Sequence, residues 1–141
     1  MIYFSKKTLV ILLILSLFFH GYQLFLLKKE EAISNKIDGD FKASISRIAS
    51  PLNDKDINKY IIAIEHASKA NALSKYTSYA KDDSFVIGYT ADLINSFRNL
   101  YINKKDIKNS TEIINLISHL SKNPNDKETA SHLLLLLNSN Y

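Results

Sequence analysis

Residues 6–29 read KKTLVILLILSLFFHGYQLFLLKK. Between the pairs Lys6–Lys7 and Lys28–Lys29 lie twenty residues, Thr8–Leu27, without one Asp, Glu, Lys or Arg. A helix needs about 20 mostly apolar residues to cross the hydrocarbon core of a bilayer, so this stretch has the length of a membrane span. A cleavable secretory signal has a shorter apolar core, about 7–15 residues, followed by a small-x-small cleavage site. Leu9–Phe19 would suit such a core, but HGYQLFLLKKEE beyond it offers no small-x-small pair in the right place, and residues 24–27 resume the apolar run. The stretch therefore reads as an uncleaved N-terminal transmembrane helix.

The charge distribution supports the same reading. The chain has 141 residues and a formal net charge of +4. From Glu30 onward, fourteen Lys and Arg face fourteen Asp and Glu, so the whole excess is Lys6, Lys7, Lys28 and Lys29. Lysines at both ends of an apolar segment mark membrane flanks. A nucleic-acid surface would need basic residues gathered on one face of the folded part, and no such cluster is visible. The chain has no cysteine. That excludes a disulfide framework, a thiol nucleophile, a Cys-ligated metal and a lipoprotein anchor. Lys, Ile and Asn are frequent, a skew that AT-rich codons produce and that points to a low-GC bacterium.

Lysines stand on both sides of the span, and Glu30 and Glu31 carry little weight in the positive-inside rule. Orientation rests instead on the layout of a signal anchor, a short tail followed at once by a span. On that basis residues 1–29 are a cytoplasmic tail and transmembrane anchor. Residues 30–141 are an extracytoplasmic helical domain, with 30–50 continuing the membrane helix. His20, Tyr22 and Gln23 fall past the midplane towards the second interface. A lone intramembrane His without an acidic partner reads as a tolerated residue rather than a proton relay.

Helical spacing continues beyond the span. Ile33, Ile37, Phe41, Ile45, Ile48 and Leu52 recur every three or four residues, with Gly39 as a candidate bend and Pro51 as the stop. A second helix is expected from an Asn53 cap, with Asp54 and Asp56 in its first turn. Its apolar side would be Ile57, Ile61, Ile64, Ala72, Tyr76 and Tyr79. Ala63, Ala67, Ala70 and Ala72 make it slim enough for close approach. Asp82 and Asp83 mark the next break. Val86, Tyr89, Leu93, Phe97 and Leu100 then form a third stripe, and SFVIGYT, strand-like alone, keeps helical spacing with its neighbours. Asn109 and Glu112 have capping-box spacing ahead of Ile113, Leu116, Ile117 and Leu120. Asn123–Pro124 or Asn125 restarts the chain into a fifth helix ending in LLLLL, Leu133–Leu137. The expected fold is all-α: an N-terminal transmembrane helix followed by a four- or five-helix bundle with short loops, in which sequence neighbours pack antiparallel.

Catalytic and metal motifs are lacking. His66, His119 and His132 show no zinc-ligand spacing. The twelfth position counted from Asp38 is Ala49, which removes an EF-hand reading of IDGDF. With only three glycines, no phosphate-cradling loop is formed. Asn109-Ser110-Thr111 matches a glycosylation sequon but serves more simply as a helix start. The segment KKTLVILLILSLFF resembles a type IV pilin N-terminus in hydrophobicity alone: Lys7 stands where a pilin has glycine and Leu12 where it has glutamate.

The expectation is a non-enzymatic interaction module without cofactor or metal. Its partners are the lipid bilayer and either another membrane or envelope protein or a second copy, with no nucleic acid. Tyr76, Tyr79, Tyr89 and Leu133, Leu134, Leu135, Leu136 and Leu137 are the candidate interaction surface, since Tyr is enriched at interfaces and a helix apolar all round must be covered. Burial of the leucine helix as the last element of the bundle is the competing reading. The alternative functions are a small-ligand sensor or carrier with a Tyr- and Phe-lined pocket, and an immunity-type protein, the latter by fold analogy only.

Overall fold

The N-terminal half of the first helix buries nothing, whereas its last turns supply four core residues. The computed structural model describes residues 6–54, 56–81 and 83–140. Helix α1 runs through Lys6–Ala49 without a break at Gly39. The chain divides into two units, Met1–Asn35 and Lys36–Tyr141. In the first, the described residues are all α1. In the second, Phe41, Ser44, Ile45 and Ile48 are buried at spacings of three, one and three. Pro51 has no N–H for the helical ladder, and the chain tightens into a 3₁₀ turn over Ser50–Asn53.

The second unit continues with α2 (Lys59–Ser74), a 3₁₀ turn at Ser78–Ala80, α3 (Phe85–Ile102), α4 (Ser110–Lys122) and α5 (Lys127–Asn138). The described residues thus contain five α-helices and no strand. Helix α2 packs on α3, α3 on α5 and α4 on α5. All five residues of the expected α3 stripe, Val86, Tyr89, Leu93, Phe97 and Leu100, are buried, as are Ile113, Ile117 and Leu120 of α4.

Helix α2 departs from expectation at both ends and in its face. It begins after Asn58 rather than at Asn53, which lies in the 3₁₀ turn. The Asp56 carboxylate organises the entry by accepting the Asn58 backbone N–H at 2.9 Å and its side-chain amide at 3.1 Å. Those two hydrogen bonds hold the Asp56 carboxyl below its ordinary value of 3.8. The helix stops at Ser74, so Tyr76 and Tyr79 fall outside it. Its buried face is Tyr60, Ala63, Ala67 and Ala70, and Ile61 is exposed. Small side chains let the α2 and α3 backbones approach, and that proximity outweighs the bulk of the isoleucines on the other side. Asn71 clamps the pair by donating to Ile87 O and Thr90 Oγ1 at 3.1 and 3.0 Å.

Asp38, on the α1 segment of this unit, accepts the Ser78 backbone N–H at 2.8 Å and also the Ser78 hydroxyl. Beside it the Phe41 ring meets Tyr79 at 6.2 Å. Asp38, next to the candidate bend at Gly39, is therefore a tie across forty residues of sequence.

Helix α3 ends on a residue that strains its backbone. Lys104 has φ 50°. Lys105 N–H reaches Leu100 O at 3.0 Å and Lys104 N–H reaches Tyr101 O at 3.2 Å. This is the paired hydrogen bonding of a Schellman stop, where glycine fits without penalty. Lys104→Gly is expected to raise stability by about 1 kcal/mol, read as a higher urea midpoint at unchanged slope.

The caps of α4 and α5 also differ from expectation. Asn109 precedes α4 but its side chain makes no capping hydrogen bond; its φ of −112° and ψ of 48° differ from the extended geometry usual at that position. Helix α5 is capped by Asp126, neither at Pro124 nor at Asn125. One carboxylate oxygen accepts the Thr129 N–H at 3.0 Å and the other the Thr129 hydroxyl at 2.8 Å. The Thr129 N–H and then its hydroxyl hold the Asp126 carboxyl below 3.8; burial opposes them, and His119 adds a lesser lowering. A depressed carboxylate stabilises above its unfolded value and loses that contribution as pH falls through its folded value. Asp126→Ala is therefore expected to lower the melting temperature at neutral pH. The gap between variant and parent should narrow as pH drops below about 3.8, which thermal unfolding at stepped pH would read.

Candidate functional site

Two surfaces are candidates: the apolar length of α1 and the outside of the helical unit. In the first, Thr8–Leu27 continues as unbroken helix, and twenty helical residues rise about 30 Å, the thickness of a bilayer core. An 18-residue window here has mean hydropathy 2.2, and none of it is buried. Leu17 is 65% exposed and Phe18 74%. Lys6, Lys7, Lys28 and Lys29 stand exposed at the two ends. The helix passes the length and composition test for a membrane span, a test that a signal sequence also passes.

Within this run, His20 Nδ1 lies 2.8 Å from the Ser16 carbonyl oxygen. A carbonyl only accepts, so Nδ1 carries the hydrogen. In the neutral ring Nε2 is then a lone-pair acceptor facing outward.

On the helical unit, the residues expected to form one surface are dispersed. Tyr76 is 61% exposed in the turn after α2. Tyr79 is half-buried on Phe41, with the Lys42 ammonium 5.3 Å from its ring centre. Tyr89 is buried against Phe85, ring centres 5.2 Å apart. Leu133 and Leu137 belong to the core, Leu134 and Leu136 are half-buried, and Leu135 is 69% exposed. At about 100° per residue, five consecutive leucines sweep the whole circumference; Leu133 and Leu137, one turn apart, lie inside the core, Leu134 and Leu136 pack against it and Leu135 faces outward. The helix is neither fully buried nor fully open.

The Tyr89 hydroxyl is buried with no hydrogen-bond partner among the described residues, and burial pushes its pKa up. An orphaned buried hydroxyl costs desolvation with no return. Tyr89→Phe is therefore expected to leave stability unchanged or raise it by about 1 kcal/mol, again by urea midpoint.

Other exposed apolar side chains stand at the start of α2 and the end of α3. Ile61 and Ile62 open α2, and Tyr101 and Ile102 close α3; all four are exposed. Tyr60 stacks on Phe97 at 6.4 Å, which sets these two helix ends beside each other. Nothing in the spacing distinguished Ile61 and Ile62 from core residues.

A cleft of about 310 Å³ lies at the start of α2, lined by Leu52, Asn53, Asp54, Lys59, Asp106, Ile107 and Ser110. Lys59 is 7% exposed. Its ammonium donates to Asp54 O at 2.9 Å and to Asp106 Oδ1 at 3.3 Å. Next to it the buried Tyr60 hydroxyl accepts the Ile107 N–H at 3.1 Å. Burial chiefly raises the Tyr60 pKa above 10.0, the Ile107 hydrogen bond opposes it, and the Asp106 charge adds to the rise. This lining is polar and charged, unlike the Tyr- and Phe-lined pocket expected of a ligand carrier.

The histidines pair with carboxylates between α4 and α5. His119 Nε2 lies 2.9 Å from Asp126, and His132 Nε2 3.5 Å from Glu112. Their order shows α4 and α5 running antiparallel. Among the described residues no three His, Asp or Glu side chains converge into a metal-binding group. No family model matches the chain, and no curated protein or solved structure shows significant similarity to it.

Proposed function

We propose that this is a single-pass membrane protein of a bacterial envelope. Residues 8–27 span the bilayer, and the helical unit works on the extracytoplasmic side as a non-enzymatic interaction module. The observation that carries the reading is the α1 run. Its apolar side chains are exposed over the length of a bilayer, and α1 carries no core residue of its own before Phe41. Exposed apolar surface on this scale calls for a nonaqueous environment. The lysine pairs at both ends suit headgroup depth.

The exposed Ile61, Ile62, Tyr101 and Ile102 at one end of the α2–α3 hairpin support the interaction half of the reading. Apolar and aromatic side chains of this kind are typical anchors at the centre of a protein interface. Two measurements test it. Protease added to intact cells should degrade the region after Lys29; full protection would contradict the assigned side. Mild detergent extraction should recover the chain in a complex that Ile61→Asp with Ile102→Asp disrupts. A monomer with no companion, or a complex indifferent to these changes, would contradict the interaction role of this surface.

A further inference from the structure

Ser16, His20 and Gln23 occupy one face of the span, within about 60° of each other at about 100° per residue. All three are exposed. The centre of Thr8–Leu27 lies between Leu17 and Phe18. At 1.5 Å per residue His20 is about 4 Å and Gln23 about 8 Å beyond that centre, inside a half-thickness of about 15 Å. Lys28, about 16 Å out, is the first residue at headgroup depth. Past the midplane is therefore still hydrocarbon for both polar side chains.

Hydrocarbon supplies no hydrogen bonds. The Ser16 carbonyl fixes the His20 ring at 2.8 Å through Nδ1, which leaves Nε2 as an outward acceptor in the neutral ring. No described residue pairs with the Gln23 carboxamide, which brings an N–H donor and a carbonyl acceptor to the same face. Side chains on a helix lean towards its N-terminus, so Gln23 leans towards the depth of His20.

We propose that two parallel copies of this chain associate in the bilayer through the Ser16–His20–Gln23 face, each Gln23 amide donating to Nε2 of the other copy's His20. The pattern is self-complementary. A Gln23 N–H and the His20 Nε2 lone pair on the same face satisfy each other twice under a two-fold axis, as an isologous interface requires. Interhelical hydrogen bonds of this type hold transmembrane helices together. The opposite face presents a groove lined by Ile14, Leu17, Phe18, Gly21 and Tyr22. It carries one polar group, the Tyr22 hydroxyl at its edge, and lipid chains can fill it. The inference rests on the membrane-span reading and names the partner that the span itself selects.

The absence of cysteine makes the test direct. Single cysteines placed in the full-length chain at Ser16 or Leu27 lie on the proposed face; those at Ile14, Phe18 or Phe25 lie opposite. His20 and Gln23 stay intact in all five variants. Oxidation in membranes is expected to give disulfide dimers at Ser16→Cys and Leu27→Cys and few at the other three. Adding Gln23→Leu or His20→Leu to Ser16→Cys should lower dimer yield about tenfold. A maximum on the Ile14, Phe18 and Phe25 face overturns the inference. So does uniform cross-linking, no cross-linking, or indifference to Gln23→Leu and His20→Leu. Fractionation of the same samples separates the two levels. Membrane-bound chain with no face preference defeats this inference alone, whereas chain outside the membrane defeats the span reading and the inference together.

Discussion

Replacing Phe97 with alanine is expected to cost the helical unit about 3–5 kcal/mol. Phe97 is fully buried on α3 and stacks on Tyr60 of α2 at 6.4 Å. The substitution removes a ring from the seam between the two helices that pack most closely. Alanines 63, 67 and 70 have no bulk with which to refill the space. A single domain of this size holds about 5–15 kcal/mol in total, so the loss takes about a fifth of the stability or more. Urea unfolding of segment 36–141, followed by helical circular dichroism, checks it. Phe97→Leu, which keeps most of the volume, should lose far less. If Phe97→Ala and Phe97→Leu unfold at the parent's midpoint, the α2–α3 seam is not the core described.

The second large effect concerns the span. Leu13→Arg with Leu17→Arg places two guanidinium groups near the middle of the apolar run Thr8–Leu27 of α1. Each exchange moves insertion by about 3–4 kcal/mol on the translocon scale, about 7 kcal/mol for both. The double variant is expected to leave the membrane fraction, whereas Leu13→Ala with Leu17→Ala should remain. Both residues are exposed on α1 and belong to the unit that ends at Asn35. The helical unit should keep its own melting transition in both variants. Loss of that transition would mean that the apolar run contributes to the soluble core instead.

Periodicity was enough to locate α1, α3, α4 and α5 because each carries one dominant stripe, as Val86, Tyr89, Leu93, Phe97 and Leu100 do. In α2 two faces competed: Ala63, Ala67 and Ala70, expected to allow close approach, are buried, whereas Ile61 of the expected apolar side is exposed. Tyr76 and Tyr79 matched the helical period yet follow the stop at Ser74, and no strong breaker announces that stop. Helix starts were legible as residue types but not as positions. Asp126 rather than Asn125 caps α5, and Asn109 leads α4 without its side chain, because a cap depends on backbone angles that neighbouring turns set.

The candidate surface was less legible still. Consecutive leucines and scattered tyrosines give no phase by themselves, and burial then sorts Tyr89 and Leu133 into the core and Tyr76 and Leu135 out of it. The long-range ties of Asp38 to Ser78 and of Lys59 to Asp106 join residues about forty positions apart, which no local pattern encodes. The apolar run of α1, by contrast, was legible in full, since its length and its lysine borders are properties of the chain alone.

On the proposed reading this run stays on the protein and holds it in a bilayer. Alkaline carbonate extraction of membranes from cells expressing the chain, with intact-mass analysis of each fraction, tests it most directly. The uncleaved 16.0 kDa chain is expected in the carbonate-resistant pellet. A soluble chain, or a shorter species that begins after the span, would contradict it.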